Sequence, residues 1–366
     1  MSTAIVESSF VPSSSSETLE GVPDLTETGY DCIRYMGQCN GGHIYLGREQ
    51  KNLQDFVAIK KFLIDDTDDY NLIASEVSNL RQMRHSNILE LTKCFVYESS
   101  IWMISQVMNL GSLYDIVFNY KKCGISERAA AGITHQVLDA LAYLHARRYI
   151  HRDLKPKHIL VDSHGNVKLS GFRFMTELNR HLDCVFEFNT QFQNQIYYLA
   201  PEVLAQNLHG YTTKSDIYML GITLCEAING VIPFAELDPL EMLHRKLNGQ
   251  VPRPVDSTSL RDDEALGIDI SQRPREHLTR TFSQEIHDFI ANCLSYEPHL
   301  RNSAIDLKES AWLGSKTNRN LRSEDVSEAL ELDYSHFDLS LWEQQRVLPS
   351  DPEQLYDIAF DYSPIS

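Results

Sequence analysis

His151-Arg152-Asp153-Leu154-Lys155-Pro156 is the stretch that decides the fold, and Lys168-Leu169-Ser170-Gly171-Phe172-Arg173 follows it after a predicted short β-hairpin. Asp153 and Lys155 place a carboxylate and a cation close together in the first stretch. In the second stretch, Gly171 has no side chain and can coordinate no metal ion. Arg173 adds a guanidinium, which can bind phosphate oxygens through two hydrogen bonds. The two stretches indicate a cluster of charged side chains that could bind a charged ligand.

The composition allows one large domain of two lobes and argues against several function classes. The chain of 366 residues has 33 basic and 51 acidic side chains and a net charge of −18. Nucleic acids and anionic membranes attract a basic face, so we expect neither as a partner. The seven cysteines are scattered, which predicts neither a disulfide framework nor a zinc site. With no signal peptide or apolar run of about 18–20 residues, we expect a soluble cytoplasmic protein, with nuclear entry left open.

Hydrophobic periodicity predicts a β-rich region followed by a mostly helical region. Residues 1–24 are rich in Ser, Thr, Glu and Pro and are predicted to be disordered. The β-rich region has predicted strands at 31–36, 43–46, 56–62 and 101–104, and one helix at 71–83. The second region has predicted helices at 127–146, 216–229 and 282–294, a polar surface insertion at 252–280, and an acidic tail at 315–366.

Two further patterns lie in the β-rich region. Gly37 and Gly42 flank Cys39 between two predicted strands, which by itself is more often a plain hairpin than a phosphate-binding loop. Val57-Ala58-Ile59-Lys60 lies on a predicted strand, and Glu76 lies on the following helix. In isolation, Lys60 could equally be an exposed lysine on an edge strand. Together with the order of the other motifs, the pattern favours a functional role for Lys60 over that of an exposed lysine.

In this order the motifs resemble those of protein kinases over roughly residues 28–314. The resemblance implies an α+β, bilobal protein-kinase fold in a domain spanning 25–314. Its N-lobe, about 25–106, would be β-rich with one regulatory helix, and its C-lobe, about 110–314, would be mainly α-helical.

The resemblance also implies a nucleotide site without metal ligands. Lys60 would pair with Glu76 and point at the phosphates, and Asp153 would stand where kinases hold their catalytic base. His158 and Gly171 occupy the two metal-ligand positions, so we expect no metal and no functional catalytic residue, with Asp153 a remnant. ATP would be held without Mg²⁺ by fixed cations. The expected nucleotide-binding residues are Gly37, Gly42, Ile44, Ala58, Lys60, Glu76, Gln106, Met108, Lys155, His158, Leu160 and Arg173.

Other residues are implied to have structural roles. Glu202 and Arg301 would form a buried ion pair that anchors the activation segment, here residues 171–202. Asp216 would bond the backbone of the His151-Arg152 turn. His151, Phe172 and Leu80 would stack in an apolar column between the lobes. These roles do not depend on catalysis.

A closer resemblance is to STRAD, the STE-related adaptor pseudokinase family. The stretches that carry it are His158-Ile159-Leu160, Ser170-Gly171-Phe172-Arg173, Lys214-Ser215-Asp216-Ile217-Tyr218, Gly221-Ile222-Thr223, Leu247-Asn248-Gly249 and Arg280-Thr281-Phe282-Ser283. The resemblance implies a catalytically inactive allosteric adaptor. Its partners would be a serine/threonine kinase of the liver kinase B type and a helical-repeat scaffold like calcium-binding protein 39.

Two departures from the STRAD pattern leave alternatives open. Because Lys60 and Asp153 are retained, the alternative is a weakly active serine/threonine kinase. A third hypothesis is a scaffold whose partner binding does not depend on nucleotide. Trp342 and Glu343 are the nearest match to a tail motif that docks on the scaffold. Trp342 could instead pack back on the C-lobe. The sequence does not indicate whether Thr176 or Thr190 is phosphorylated, or the oligomeric state.

Overall fold

Two lobes of different secondary structure meet after Gln106 in the computed structural model. It describes residues 28–39, 41–64, 69–188, 195–265, 270–271 and 273–344. The predicted disorder of residues 1–24 and the question of Thr190 lie outside these ranges. The α+β bilobal protein-kinase fold predicted from the motifs is confirmed.

The N-lobe is a five-stranded antiparallel sheet with one helix packed on it, in the order β1-β2-β3-β5-β4. Its elements are β1 (Tyr30–Cys39), β2 (Gly42–Glu49), β3 (Asn52–Leu63), α1 (Asp69–Gln82), β4 (Leu91–Tyr97) and β5 (Ser100–Gln106). Side chains alternate between the two faces of a strand. Ile59 therefore packs with Trp102 on one face of β3, while Phe62 joins the main core on the other. Lys60 shares the face of Phe62, towards α1.

The C-lobe is built around two long helices. Its elements are α2 (Leu113–Asn119), α3 (Glu127–Ala146), β6 (Tyr149–Ile150), β7 (Ile159–Val161), β8 (Val167–Leu169), β9 (Thr176–Glu177), α4 (Pro201–Leu204), α5 (Lys214–Asn229), α6 (Pro239–Leu247), α7 (Ser257–Ala265), α8 (Arg275–Thr279), α9 (Gln284–Cys293) and α10 (Ala304–Lys308). The side chain of Ser126 begins α3 by accepting from the Ala129 amide. Residues 215–229 of α5 are all buried, as its apolar run indicated.

The predicted surface insertion at 252–280 is wrong in part. The segment forms α7 and α8, and Asp256, Leu260 and His277 are buried. The Asp256 carboxylate accepts hydrogen bonds from the backbone amides of Ser259 and Phe282, both at 2.9 Å. A polar residue can be buried when its hydrogen bonds are made inside the protein, and a polarity pattern does not show that.

The predicted acidic tail from residue 315 also needs correction, because its first part folds back on the domain. It contains α11 (Ser323–Leu330) and α12 (Leu339–Gln344), joined by a short 3₁₀ turn. Val326, Leu330 and Phe337 are buried there. These few apolar residues, spaced along an acidic stretch, are enough to pack it against the domain. Among the described residues, no helix is both long and apolar enough to span a bilayer.

Candidate functional site

Lys60 and Glu76 meet in the cleft between the lobes. Lys60 Nζ, on β3, donates to Glu76 Oε1, on α1, at 2.9 Å. Glu76 is buried. Burial alone would raise the pKa of Glu76, but the charges of Lys60 and Arg173 lower it below its usual value. The structure therefore contains the ion pair that the spacing of the two residues predicted.

Arg173 lies on the same carboxylate. Its Nε donates to Glu76 Oε2 at 2.9 Å, and its guanidinium carbon lies 5.0 Å from the centre of the Phe62 ring. The side chain is 7% exposed, and within the described residues its buried Nη2 has no hydrogen-bond partner. Arg173 was predicted to face phosphate oxygens. The structure places its Nε on Glu76, which does not decide whether the guanidinium also contacts phosphate.

Asp153, at the position of the catalytic base, is enclosed by its neighbours. The Lys155 ammonium lies 2.8 Å from Asp153 Oδ1, and both side chains are buried. The Gln195 side chain also hydrogen-bonds the Asp153 carboxylate. Burial raises the pKa of Asp153 to about 6, against the opposing effect of Lys155. The carboxylate is thus buried, at 1% exposure, beside the Lys155 ammonium.

His158 and Gly171, at the two metal-ligand positions, lie against each other. His158 Nδ1 donates to the Asp153 carbonyl oxygen at 2.7 Å. A Cβ atom added at Gly171 would lie 2.3 Å from that Nδ1. Neither position provides an oxygen ligand, which Mg²⁺ prefers, so the residues present do not fit this ion. No cluster of three or more His, Cys, Asp or Glu side chains in the described ranges could hold a metal.

His158 does not add positive charge to the cleft. Burial, together with the nearby Lys155 charge, lowers its pKa well below the usual value for histidine. The imidazole is therefore neutral at pH 7. If His158 contacts nucleotide as expected, it would do so as a neutral hydrogen-bonding group.

The glycine loop closes as a tight hairpin. Cys39 pairs with Gly42 at the ends of β1 and β2, which leaves two residues for the turn. A Cβ at Gly42 would lie 2.5 Å from the Lys61 carbonyl oxygen, so glycine permits the close approach of β2 to β3. Cys39 packs against the main core, and burial raises the pKa of its thiol. Gly37 is buried, with a φ of 140°.

The expected adenine-binding residues border the connection between the lobes. Gln106 ends β5, and its Nε2 lies 3.2 Å from the Met108 sulfur. Met108 is buried at 5% exposure. Ala58 on β3 and Leu160 on β7 are half-buried and belong to opposite lobes, while Ile44 on β2 pairs with Lys60.

Two of the three residues of the predicted apolar column are in contact, and the third is buried in the same core. The rings of His151 and Phe172 meet edge to face, with centroids 4.9 Å apart. Leu80, from α1, is buried in the same core cluster as Phe172. His151 Nε2 donates to the Ser170 carbonyl oxygen at 3.0 Å, and burial lowers the pKa of this histidine to about 4.

Two buried carboxylates organise the C-lobe side of the site. Asp216 accepts from the backbone amides of His151 and Arg152, both at 2.9 Å, which fixes the turn before Asp153. Glu202 accepts two hydrogen bonds from the Arg301 guanidinium, at 2.6 and 2.9 Å. Both contacts are the ones that the resemblance implied.

Trp342 and Glu343 contact the N-lobe. The Arg34 guanidinium carbon lies 5.2 Å from the centre of the Trp342 ring, and Arg48 Nη1 lies 2.8 Å from Glu343 Oε1. Arg34 and Arg48 belong to β1 and β2. The alternative that Trp342 packs back on the C-lobe is therefore corrected, since it reaches the other lobe. We call residues 321–344 the C-terminal clasp.

Between its two ends, the clasp follows the C-lobe and the connection between the lobes. A Cβ at Gly132, on α3, would lie 2.4 Å from a Val326 methyl group, so a small residue is needed there. Asn109 Nδ2 donates to the Phe337 carbonyl oxygen at 2.9 Å. Tyr120 meets the Phe337 ring edge to face at 5.4 Å. The clasp thus runs from α3 past the interlobe connection to β1.

Two contacts of the cleft were not predicted from the sequence. Gln195 bonds Asp153 from 42 residues further along the chain. Asn79 Nδ2, on α1, donates to the Phe172 carbonyl oxygen at 2.8 Å. Neither residue belongs to a motif, and long-range amide contacts leave no periodic signal.

Two buried ionisable groups hold the activation segment, and neither was singled out from the sequence. Lys246 Nζ, on α6, donates to the carbonyl oxygens of Tyr197 at 2.8 Å and Leu199 at 2.6 Å. The Tyr198 hydroxyl donates to Glu226 Oε2, on α5, at 2.6 Å. Burial lowers the pKa of Lys246 to about 7 and raises that of Glu226 to about 7.

Comparison with known proteins identifies the family. Residues 30–313 match the protein kinase domain family. The chain is 72% identical over 347 residues to STE20-related kinase adapter protein strd-1 of Caenorhabditis elegans, covering 95% of this chain and 89% of that protein. It is 35% identical over 257 residues to STE20-related kinase adapter protein alpha of Gallus gallus, covering 63% of this chain and 66% of that protein. The Homo sapiens alpha protein is 34% identical over 259 residues, covering 64% of this chain and 60% of that protein. The chain therefore belongs to the protein kinase domain family and, within it, to the STE20-related kinase adapter (STRAD) proteins.

Proposed function

We propose that this chain is a non-catalytic adaptor that binds and activates a serine/threonine kinase of the liver kinase B type. A helical-repeat scaffold like calcium-binding protein 39 would complete the complex. The names of the relatives support a role as a kinase adapter. The complex would form in the cytoplasm, with nuclear entry left to a localisation experiment.

The observation that carries the proposal is the contrast between the metal positions and the frame around them. At His158 and Gly171 the chain has no oxygen ligand, and Asp153 is held by Lys155 and Gln195. Phosphoryl transfer depends on metal ions that neutralise the developing charge. In contrast, the Lys60–Glu76 pair, the bond of Asp216 to the His151 amide and the Glu202–Arg301 pair are all present. The chain would therefore keep the shape of a kinase domain that a partner recognises, without the metal ligands that phosphoryl transfer needs.

The proposed cofactor is ATP bound without Mg²⁺. The cleft contains three cationic side chains, those of Lys60, Lys155 and Arg173. They pair with two carboxylates, those of Glu76 and Asp153, so the group has one net positive charge. The buried Nη2 of Arg173 has no hydrogen-bond partner within the described residues. ATP, when bound, would supply a polyanion lying between the lobes. Fixed ammonium and guanidinium groups can hold such a polyanion, although they cannot replace the mobile charge of a metal.

Nucleotide would act on the partner through the arrangement of the two lobes. Lys60 and Glu76 belong to the N-lobe, whereas Lys155 belongs to the C-lobe. A polyanion that contacts both lysines favours the closed arrangement over the open one. A 100-fold preference for the closed arrangement would shift the equilibrium by about 2.7 kcal/mol.

Reconstitution tests the adaptor proposal directly. The full chain is mixed with the partner kinase and the scaffold, and phosphorylation of a peptide substrate by the partner is measured. We expect partner activity to rise, and Lys60→Met to reduce the rise. Lys61→Met is the matched control, because Lys61 lies near Trp102 on the other face of β3. No rise in partner activity would contradict the adaptor assignment. An equal rise with Lys60→Met would indicate a scaffold that ignores nucleotide.

The alternative of a weak kinase is favoured by the retained Asp153, whose pKa of about 6 leaves it largely ionised at pH 7. Autophosphorylation of the chain alone separates the two functions. Wild type and Asp153→Ala should incorporate phosphate equally, at background level, if the chain is not a kinase. Incorporation that requires Asp153 would establish the kinase activity instead.

A further inference from the structure

Gly171 lies at the end of the β7–β8 hairpin, directly against His158. A Cβ atom at position 171 would lie 2.3 Å from His158 Nδ1, 2.5 Å from its Cγ and 2.6 Å from its Cε1. Real Cβ contacts are essentially never below 3.0 Å. The imidazole ring therefore fills the volume that the first atom of any side chain at 171 would need.

The ring of His158 is held in that volume. Its Nδ1 donates to the Asp153 carbonyl oxygen at 2.7 Å, and its side chain is 16% exposed. The His151 ring lies edge-on to it, with centroids 6.5 Å apart. The Ser170 amide donates to the His158 carbonyl oxygen at 2.8 Å, which ties the two ends of the hairpin together. Displacing the ring would break a hydrogen bond in a packed environment.

The backbone at position 171 is a second obstacle to a side chain. Gly171 has a φ of +84°, in the left-handed region. Aspartate and asparagine adopt this region more readily than other residues with side chains. An aspartate at 171 therefore meets two obstacles, backbone strain and the His158 ring, and only the second depends on residue 158.

We propose that His158 determines the metal independence of this site, because its imidazole occupies the space of the side chain that position 171 would carry. The two positions act as one interlocked unit. A carboxylate at 171 can enter only when the ring at 158 is removed, and an amide at 158 then also supplies an oxygen ligand. The inference has two halves. The steric half is that the His158 ring excludes a side chain at 171, and it does not depend on the proposed function. The metal half is that this exclusion makes the site independent of metal, and it rests on the proposed nucleotide binding.

A stability cycle tests the steric half without any ligand. The thermal midpoints of full-length wild type, Gly171→Asp, His158→Asn and the double variant are compared. We expect Gly171→Asp to lower the midpoint by roughly 3–8 °C, and His158→Asn to restore most of that loss. His164→Asn with Gly171→Asp is the matched control, because His164 is exposed in the turn between β7 and β8. This control should leave the thermal midpoint as low as in Gly171→Asp alone.

Two results overturn the steric half. One is a Gly171→Asp variant as stable as wild type, and the other is equal rescue by His158→Asn and His164→Asn. If Gly171→Asp does not fold, the same cycle with Gly171→Ala uses a side chain of one atom. His158→Ala then replaces His158→Asn as the rescuing change.

Calorimetric titration of ATP tests the metal half, with Mg²⁺ or with EDTA in the buffer. We expect the double variant to bind ATP about tenfold or more tightly with Mg²⁺ than with EDTA, the scale on which changes around a metal site alter affinity. Wild type and both single variants should bind ATP with nearly the same affinity in Mg²⁺ and in EDTA. Mg²⁺ dependence in Gly171→Asp alone, or none in the double variant, overturns the metal half. Absence of ATP binding to wild type in both buffers would count against the proposed function and leave the stability cycle intact.

Discussion

Glu76 is the residue on which the charges of the cleft converge. It accepts from Lys60 with one oxygen and from Arg173 with the other, each at 2.9 Å. A buried carboxylate with two cations is more than neutralised, which explains why its pKa falls despite burial. The two cations exceed the single carboxylate by one positive charge, and the buried Nη2 of Arg173 has no hydrogen-bond partner among the described residues. Under the proposed function, this guanidinium would donate to a phosphate oxygen of the nucleotide.

Arg173→Ala should weaken ATP binding without opening the Lys60–Glu76 pair. The variant loses one charge-assisted hydrogen bond, worth about 1.5–3 kcal/mol, so we expect affinity in EDTA to fall by roughly tenfold or more. The measurement is the rise in thermal midpoint on adding ATP with EDTA present. Arg180→Ala is the matched control, because the Arg180 side chain is 80% exposed. An ATP-induced rise as large in Arg173→Ala as in wild type would show that Arg173 does not bind nucleotide.

At the scale of elements, α5 holds the activation segment through the bond from Tyr198 to Glu226. Burial raises the pKa of Glu226 to about 7. An acid whose pKa is higher in the folded state binds more protons there than in the unfolded chain. Its effect is that the free energy of unfolding falls as pH rises from about 4.5 to about 7, and stays constant above that window.

Glu226→Gln should remove this pH dependence. Between pH 4.5 and 7, the free energy of unfolding should fall by roughly 3 kcal/mol more in wild type than in the variant. The reason is that folding raises the pKa of Glu226 from 4.5 to about 7. Urea unfolding at several pH values between 4.5 and 8 measures the difference. Glu236→Gln, at an exposed position after α5, is the matched control. Parallel stability curves for wild type and Glu226→Gln would contradict the prediction.

Elements with a strong local pattern could be predicted, whereas contacts between distant segments could not. Lys60 and Glu76 could be paired because a strand motif and a helix carry them at a recognisable spacing. The position of the His158 ring could not be predicted, since it depends on the hairpin bringing residues 158 and 171 together. The segment at 252–280 appeared exposed because it is polar, yet Asp256 is buried with its hydrogen bonds satisfied. Composition shows how polar a segment is and not where its polar groups find partners.

At the scale of the whole molecule, the C-terminal clasp joins the two lobes at a second place besides the connection after Gln106. It packs on α3 through Val326 and on β1 through Trp342. The proposed scaffold would have to replace the contacts of Trp342 and Glu343 with the N-lobe if it docked on these residues. Under that proposal, scaffold docking and clasp closure would be alternatives for one segment of the chain.

A stop after Glu331 should loosen the N-lobe while leaving the C-lobe folded. It keeps α11 on α3 and removes Phe337, Trp342 and Glu343. Phe337 is 3% exposed, so losing its burial alone removes about 1.5–3 kcal/mol. We expect faster amide hydrogen exchange in β1 and β2 and unchanged exchange in α3. A stop after Gln344 is the matched control, since it removes only the residues beyond the clasp. Equal exchange in β1 for the two truncated chains would show that the clasp does not restrain the lobes.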